Sequence, residues 1–421
     1  MNKPSLYYGW WVLLALFIAG FFVYGGGLYS FVLFLVPLSQ EFGWSHAQTG
    51  GLVTAFWLSA PLLMVGGLAM RRFGVTRLLV MGIIIEALAV WALSLVSNLT
   101  EMYALRVLMG FGKILFAATV PVLCARWFDK RFGLALGIAW AGWHVGGMIL
   151  VPLTGVAIAL YSWRVACVAL AVGLVGFALV PMWWAQRIDN PAALGLGRDG
   201  VPLAEQSTAT DTQSKTNLGG RLRDVLMTTR FWLIAAATFC YYLSYGGLLS
   251  HADAIIEGAG FSAQFSSLVV GAMAGVAALG GVVIGHMIDR RPLKHSAALV
   301  HVVLILGGMG LWWMSLSHWS GALIIYVIFF GLTVGGADVY FVTLMREQFP
   351  DVNVDHLYSC WYFAELITLF SSGIIAGKIF DQSGNYHATL EVLVASALLA
   401  AVLSAIIIRL APVRALVRVH S

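Results

Sequence analysis

Twelve apolar stretches, each about 20 residues or longer, run through this chain, and they restrict its fold more than any motif does. They fall at 10–36, 48–70, 77–97, 101–125, 133–155, 163–185, 231–252, 264–287, 296–315, 320–345, 356–379 and 387–409. A helix of that length crosses the hydrocarbon of a bilayer. Backbone placed there, with no water to bond to, must close its own hydrogen bonds. The reading is an all-α integral membrane protein of twelve transmembrane helices. Composition agrees: 60% of the residues are apolar and 10% are charged, against about 25% charged in ordinary soluble domains. The mean hydropathy of +0.89 would leave a soluble chain with large apolar patches in water.

One interval is unlike the others. Residues 186–230 are polar, and AEQSTATDTQSKTNLGG within them has the composition of a flexible linker. The expected organisation is therefore an N-terminal six-helix bundle (1–185), a linker (186–230) and a C-terminal six-helix bundle (231–421). Six spans per half leave the halves in parallel orientation. Of the 24 Lys and Arg, Arg106 and Lys113 lie inside a span, and only Arg164 and Lys378 fall on one side of the membrane. The rest fall on the other side, in RRFGVTR (71–77), RWFDKRFG (126–133), the linker, DRRPLKH (289–295), REQF (346–349) and the two ends. Positive charge marks the cytoplasmic face. Both termini are thus expected inside a bacterial plasma (inner) membrane, with the N-terminal apolar run kept as span 1. The halves also echo each other. GGLAMRRFGVTRLL (66–79) and GGVVIGHMIDRRPLKH (280–295), six spans apart, each run from small residues into a basic turn. Such repeats mark secondary transporters.

Several function classes are excluded. The net charge of +5 is dispersed between apolar stretches, so no basic face is offered to nucleic acid. Cys124, Cys167, Cys240 and Cys360 sit in apolar runs without metal-ligand spacing, and no metal or other cofactor is expected. No Walker loop, GxSxG or HExxH occurs. An enzyme is not expected.

The N-terminal YYGWWVLLALF, the following GGGLYSFVLFLVPLSQEFGWSHAQTG and the basic loop 71–77 are the most specific features. With Asp289–Arg290, with Arg106, Gly110 and Gly112, and with ARWFDKRFGLALGIA (125–139), they resemble the major facilitator superfamily. Within it, they resemble the monocarboxylate porter and oxalate–formate antiporter branch. The resemblance implies two pseudo-symmetric six-helix bundles, with spans 1, 4, 7 and 10 lining a central cavity. It also marks departures. Met70 and Arg71 stand where an Asp-Arg pair usually begins. Tyr29, Gly281 and Glu365 stand where members of the branch carry cationic residues.

An ionisable side chain at mid-membrane needs a reason to be there. Lys113 lies in the middle of span 4, two turns from Arg106 and on the same face. It can meet a substrate carboxylate, or pair permanently with Glu365 or Asp338. Glu365 in span 11 and Asp338 in span 10 suit proton coupling, and Glu365 also suits an ammonium group or a pair with Lys113. His144 in span 5 can shuttle a proton or simply pack. Tyr29, Tyr245, Tyr340 and Trp361 are candidate walls of a substrate pocket. Glu86 in span 3 reads as a structural partner. Arg71, Arg72, Arg77, Asp289, Arg290 and Arg291 sit at inner helix ends, where they can hold that side shut or simply follow the charge rule.

The expected protein is a monomeric secondary transporter in membrane lipid, working by alternating access. It would move a small organic anion (monocarboxylate-like) or an amino-acid-like zwitterion, driven by protons or a counter-substrate. The alternative is a proton-driven exporter of hydrophobic or cationic compounds.

Overall fold

A computed structural model describes residues 7–59, 61, 66–203, 225–350 and 354–413, apart from a few helix side chains within them. Eleven helices among these residues are long and apolar enough to cross a membrane. In chain order they are span 1 (Tyr8–Phe42), span 3 (Val75–Leu93), span 4 (Leu99–Trp127), span 5 (Phe132–Leu160), span 6 (Trp163–Ala185), span 7 (Thr229–Gly258), span 8 (Gln264–Arg290), span 9 (Leu293–Ser317), span 10 (Ala322–Gln348), span 11 (Trp361–Ser383) and span 12 (Tyr386–Arg409). Span 2 is represented by two shorter helices, His46–Trp57 and Gly66–Phe73, with part of the stretch between them outside the described residues. The fold is all-α, as the apolar pattern requires.

Polar residues start the helices where the apolar runs begin. Ser45 and Gln48 form a reciprocal capping box, and Asn98, Ser162, Thr228, Ser262 and Asn385 cap spans 4, 6, 7, 8 and 12. Each cap bonds an N–H that would otherwise be left unpaired at the helix start.

The chain forms two compact units, Met1–Thr212 and Gln213–Ser421. In the first, spans 1 and 5, 2 and 4, and 3 and 6 pack together; in the second, spans 7 and 11, 8 and 10, and 9 and 12 do. Each pair recurs six spans later. Apolar surface drives little association inside lipid, so close approach at small residues has to hold these crossings. A Cβ on Gly110 of span 4 would stand 1.8 Å from the Phe56 carbonyl oxygen of span 2. A Cβ on Gly335 of span 10 would stand 1.8 Å from the Ala277 carbonyl oxygen of span 8.

The first part of the polar interval is folded. Residues 186–203 belong to the first unit and carry two 3-10 turns, Pro191–Leu194 and Arg198–Gly200. Asp199, at φ 58°, accepts hydrogen bonds from the backbone N–H groups of Asp129 (3.0 Å) and Lys130 (2.8 Å). Arg198 lies 3.6 Å from Asp129, and the Tyr7 hydroxyl donates to the Trp127 carbonyl at 2.8 Å. Burial, with the Asp199 carboxylate nearby, pushes the Tyr7 phenol up to about 12, so it remains a donor at neutral pH. The segment AEQSTATDTQSKTNLGG lies outside the described residues.

Candidate functional site

The first unit holds a buried cationic centre, and span 1 makes room for it. From Val23 to Tyr29 this span widens into a π-helical turn, and from Ser30 to Phe34 it tightens into a 3-10 turn. Gly25, Gly26 and Gly27 allow the widening, a distortion that often accompanies functional sites. The carbonyls it releases find donors: Ser30 Oγ bonds the Gly25 oxygen at 2.7 Å, and Arg106 Nη1 bonds the Gly27 oxygen at 3.2 Å.

Arg106, in span 4, is buried at 1% exposure. Its Nε donates to the Leu52 carbonyl of span 2 at 3.2 Å. Its guanidinium carbon lies 3.5 Å from the Phe31 ring centroid and 4.6 Å from that of Phe56. Carbonyl oxygens and ring faces here replace the water a guanidinium loses on burial. Arg106 therefore ties spans 1, 2 and 4 together.

Two turns further on, Lys113 is equally buried. Its ammonium lies 4.5 Å from the Trp57 ring centroid and 4.9 Å from that of Tyr24, and Tyr24 in turn stacks on Trp143 at 3.8 Å. Glu86 of span 3 completes the centre. It is fully buried, and neither carboxyl oxygen has a hydrogen-bond partner among the described residues. Lys113 and Arg106 both act on it electrostatically. Its Oε1 stands 1.8 Å from where a Gly27 Cβ would be, so the carboxyl occupies the space that glycine leaves in span 1. The sequence marked Glu86 as a structural partner without revealing the cations it faces. Tyr29 is half-buried against Gly147, and His144 is half-buried in span 5 with no hydrogen bond or ion pair among the described residues.

The second unit holds an acidic centre. Tyr242 of span 7 donates its hydroxyl to Asp338 Oδ1 of span 10. Glu365 of span 11, at 4% exposure, also acts electrostatically on that phenol. The Tyr242 ring centroid lies 5.4 Å from that of Tyr245, 5.7 Å from that of Phe341 and 6.3 Å from that of Trp361. The expected residues Asp338, Glu365, Tyr245 and Trp361 thus gather around Tyr242, which sequence reasoning passed over.

Tyr340 does not join them. Its ring meets His301 edge-on at 5.6 Å, and His301 bonds Ser404 of span 12 at 3.1 Å and lies 2.8 Å from the Ala297 carbonyl. Among the described residues Tyr340 reaches the group around Tyr242 only through Phe341, whose ring centroid lies 5.0 Å from its own. Asp338 is two residues away along the helix, and that offset turns the two side chains to different faces.

The basic helix ends are more open. Arg72, Arg77, Arg290 and Arg291 are exposed and form no ion pair among the described residues, and Asp289 is half-buried. The Arg71 side chain lies outside the described residues. At the other end of the first unit Arg164 pairs with Glu41 at 2.6 Å, and Glu41 also accepts from Trp163 Nε1 at 2.7 Å.

These membrane-length helices, with single charges held at mid-span, match a known family. The sequence profile of the Major Facilitator Superfamily covers residues 12–351. The chain belongs to this superfamily. It is a multi-pass membrane protein and a transporter by family. It is similar to monocarboxylate transporter 12 of Homo sapiens, 23% identical over 379 residues that cover 85% of this chain and 72% of that protein. It is also similar to the gallate transporter of Pseudomonas putida, 24% identical over 372 residues, 83% of this chain and 80% of that protein. Among solved structures, the proton:xylose symporter XylE bound to 6-bromo-6-deoxy-D-glucose superposes with a TM-score of 0.75 at 14% identity, covering 94% of each chain. That last likeness is one of fold.

Proposed function

We propose that this superfamily member moves a small organic anion, monocarboxylate-like or an amino-acid-like zwitterion, by alternating access. The observation that carries the reading is Lys113, a fully buried ammonium in the middle of a spanning helix, held by the faces of Tyr24 and Trp57. An ammonium in that position is expensive unless a counter-charge comes and goes or stays. A substrate carboxylate is such a charge, and relatives named for monocarboxylate and gallate transport support the choice. Tyr29, Tyr245, Tyr340 and Trp361 are assigned to the substrate's surroundings.

Coupling to protons or to a counter-substrate is assigned to Glu365 and Asp338, which share the Tyr242 phenol, with His144 as a further candidate. The basic helix ends with Asp289 are assigned to closing the inner side. The protein is placed in the bacterial inner membrane as a monomer with both termini cytoplasmic, following its positive charges.

The acid pair around Tyr242 favours one second reading, a proton-driven exporter of hydrophobic or cationic compounds. A thermal-shift screen separates the two, because a ligand of the folded state raises the melting temperature. Stabilisation by short carboxylates, abolished in Lys113→Ala, is the expected result. Stabilisation by lipophilic cations alone, lost in Glu365→Gln, would establish the exporter instead.

A further inference from the structure

We propose that the corner where span 1 begins and span 6 ends binds the headgroup of an anionic phospholipid, with Arg187 on its phosphate. The last turn of span 6 carries Trp183 and Trp184, and Arg187 stands just past its end. The Arg187 guanidinium carbon lies 4.5 Å from the Trp183 ring centroid. The side chain is exposed and makes no ion pair or hydrogen bond among the described residues. A guanidinium held over a ring face keeps its N–H donors, which lie in its own plane, for another partner. That planar fork grips a phosphate through two oxygens.

Span 1 completes the corner. The Tyr8 hydroxyl reaches the carbonyls of Ala185 (3.2 Å) and Trp184 (3.4 Å), joining the start of one helix to the last turn of the other. The Trp184 ring centroid lies 6.1 Å from that of Tyr8 and 6.5 Å from that of Trp11. Trp11, Trp183 and Trp184 are still 44, 57 and 45% exposed, so these indoles leave much of their surface uncovered by protein. Indole settles at the level of lipid headgroups, with its polar edge toward water and its ring toward the acyl chains.

Positive charge gathers at the same level. Thr76 Oγ1 of span 3 donates to Gln186 Oε1 at 2.8 Å. This bond brings Arg77, which is exposed and unpaired among the described residues, to the same corner as Arg187. The nearest acid along the chain, Asp189, lies on the Arg126 side: its carbonyl accepts from Arg126 Nη1 at 3.2 Å, and its charge acts on that guanidinium. Two arguments select an anionic lipid. A soluble phosphate gains nothing from uncovered indole, whereas a lipid's glycerol and acyl chains do. A zwitterionic headgroup carries a cation of its own, which the two arginines repel.

The test follows the melting temperature of the full-length protein in dodecyl maltoside as phosphatidylglycerol, or phosphatidylcholine with the same acyl chains, is added. Phosphatidylglycerol is expected to stabilise the protein more than phosphatidylcholine does. In Arg187→Ala the amount of phosphatidylglycerol needed for half the effect should rise on the order of tenfold, with the phosphatidylcholine response unchanged. Arg187→Lys keeps the charge but loses the fork, and should fall between the two. Arg409→Ala, which removes an exposed charge from the last turn of span 12, should leave the preference intact. Equal stabilisation by the two lipids would overturn the proposal. So would a preference that survives Arg187→Ala, or one lost as fully in Arg409→Ala. Stabilisation by glycerol 3-phosphate as strong as by phosphatidylglycerol would also overturn it, because the corner would then hold a soluble anion.

Discussion

The two units of this protein share a packing plan and differ in the sign of what they bury. In each, helix pairs of the same rank cross, and a glycine of one helix faces a carbonyl oxygen of another at the same 1.8 Å virtual distance, Gly110 to Phe56 and Gly335 to Ala277. Yet the first unit centres on Arg106 and Lys113, cradled by ring faces, with one acid beside them. The second centres on Asp338 and Glu365 around a single phenol. Crossings in a bilayer are restrained by contact distance, which leaves little choice but glycine. The residues turned toward a polar centre are restrained by charge balance instead, and this can change sign without disturbing the crossings.

The comparison can be broken most directly at Lys113. Lys113→Ala is expected to weaken carboxylate binding on the order of a hundredfold, about 3 kcal/mol, as a charge-assisted contact disappears. Isothermal titration measures it against Glu365→Gln, which should retain most of the affinity; a reversed pattern would move anion recognition to the acidic unit. Next in size come the crossings. Gly110→Ala and Gly335→Ala should each destabilise by about 2 kcal/mol, since a backbone carbonyl cannot step aside. Similar drops in melting temperature would sharpen the equivalence of the units, and one silent substitution would end it.

Tyr242→Phe comes third. It removes the donor to Asp338 and should lower stability by about 1 kcal/mol. A double-mutant cycle with Asp338→Asn should recover most of that as coupling, and no coupling would mean the hydrogen bond does not hold the acidic centre together. The smallest effect is expected at Arg164→Ala. Its pair with Glu41 is more than one-third exposed on both sides, so the loss should stay below about 1 kcal/mol in chemical denaturation. A larger loss would make this end of the first unit a third buried centre.

Much of this was readable before the structure. The apolar lengths marked the membrane helices, and Lys113, Glu365 and Asp338 stood out because charge is rare at mid-span. The position of Glu86 was equally visible, but its partners were not, because periodicity tells which residues share a face of one helix and not which helix that face meets. Tyr242 was hidden among neighbouring tyrosines, and nothing in the sequence told that Tyr340 meets His301.

The sequence by itself determined the solvent, the all-α class and the family resemblance. Each of these is a sum over neighbouring residues or a match of short motifs, and such quantities survive without knowledge of the packing. Only the tertiary structure decided that Glu86 feels the charges of Lys113 and Arg106, that Tyr242 serves Asp338, and that residues 186–203 fold onto the first unit. Those pairings join residues up to 190 positions apart in the chain. They depend on a few ångströms of approach and some tens of degrees of helix rotation, which local composition does not encode.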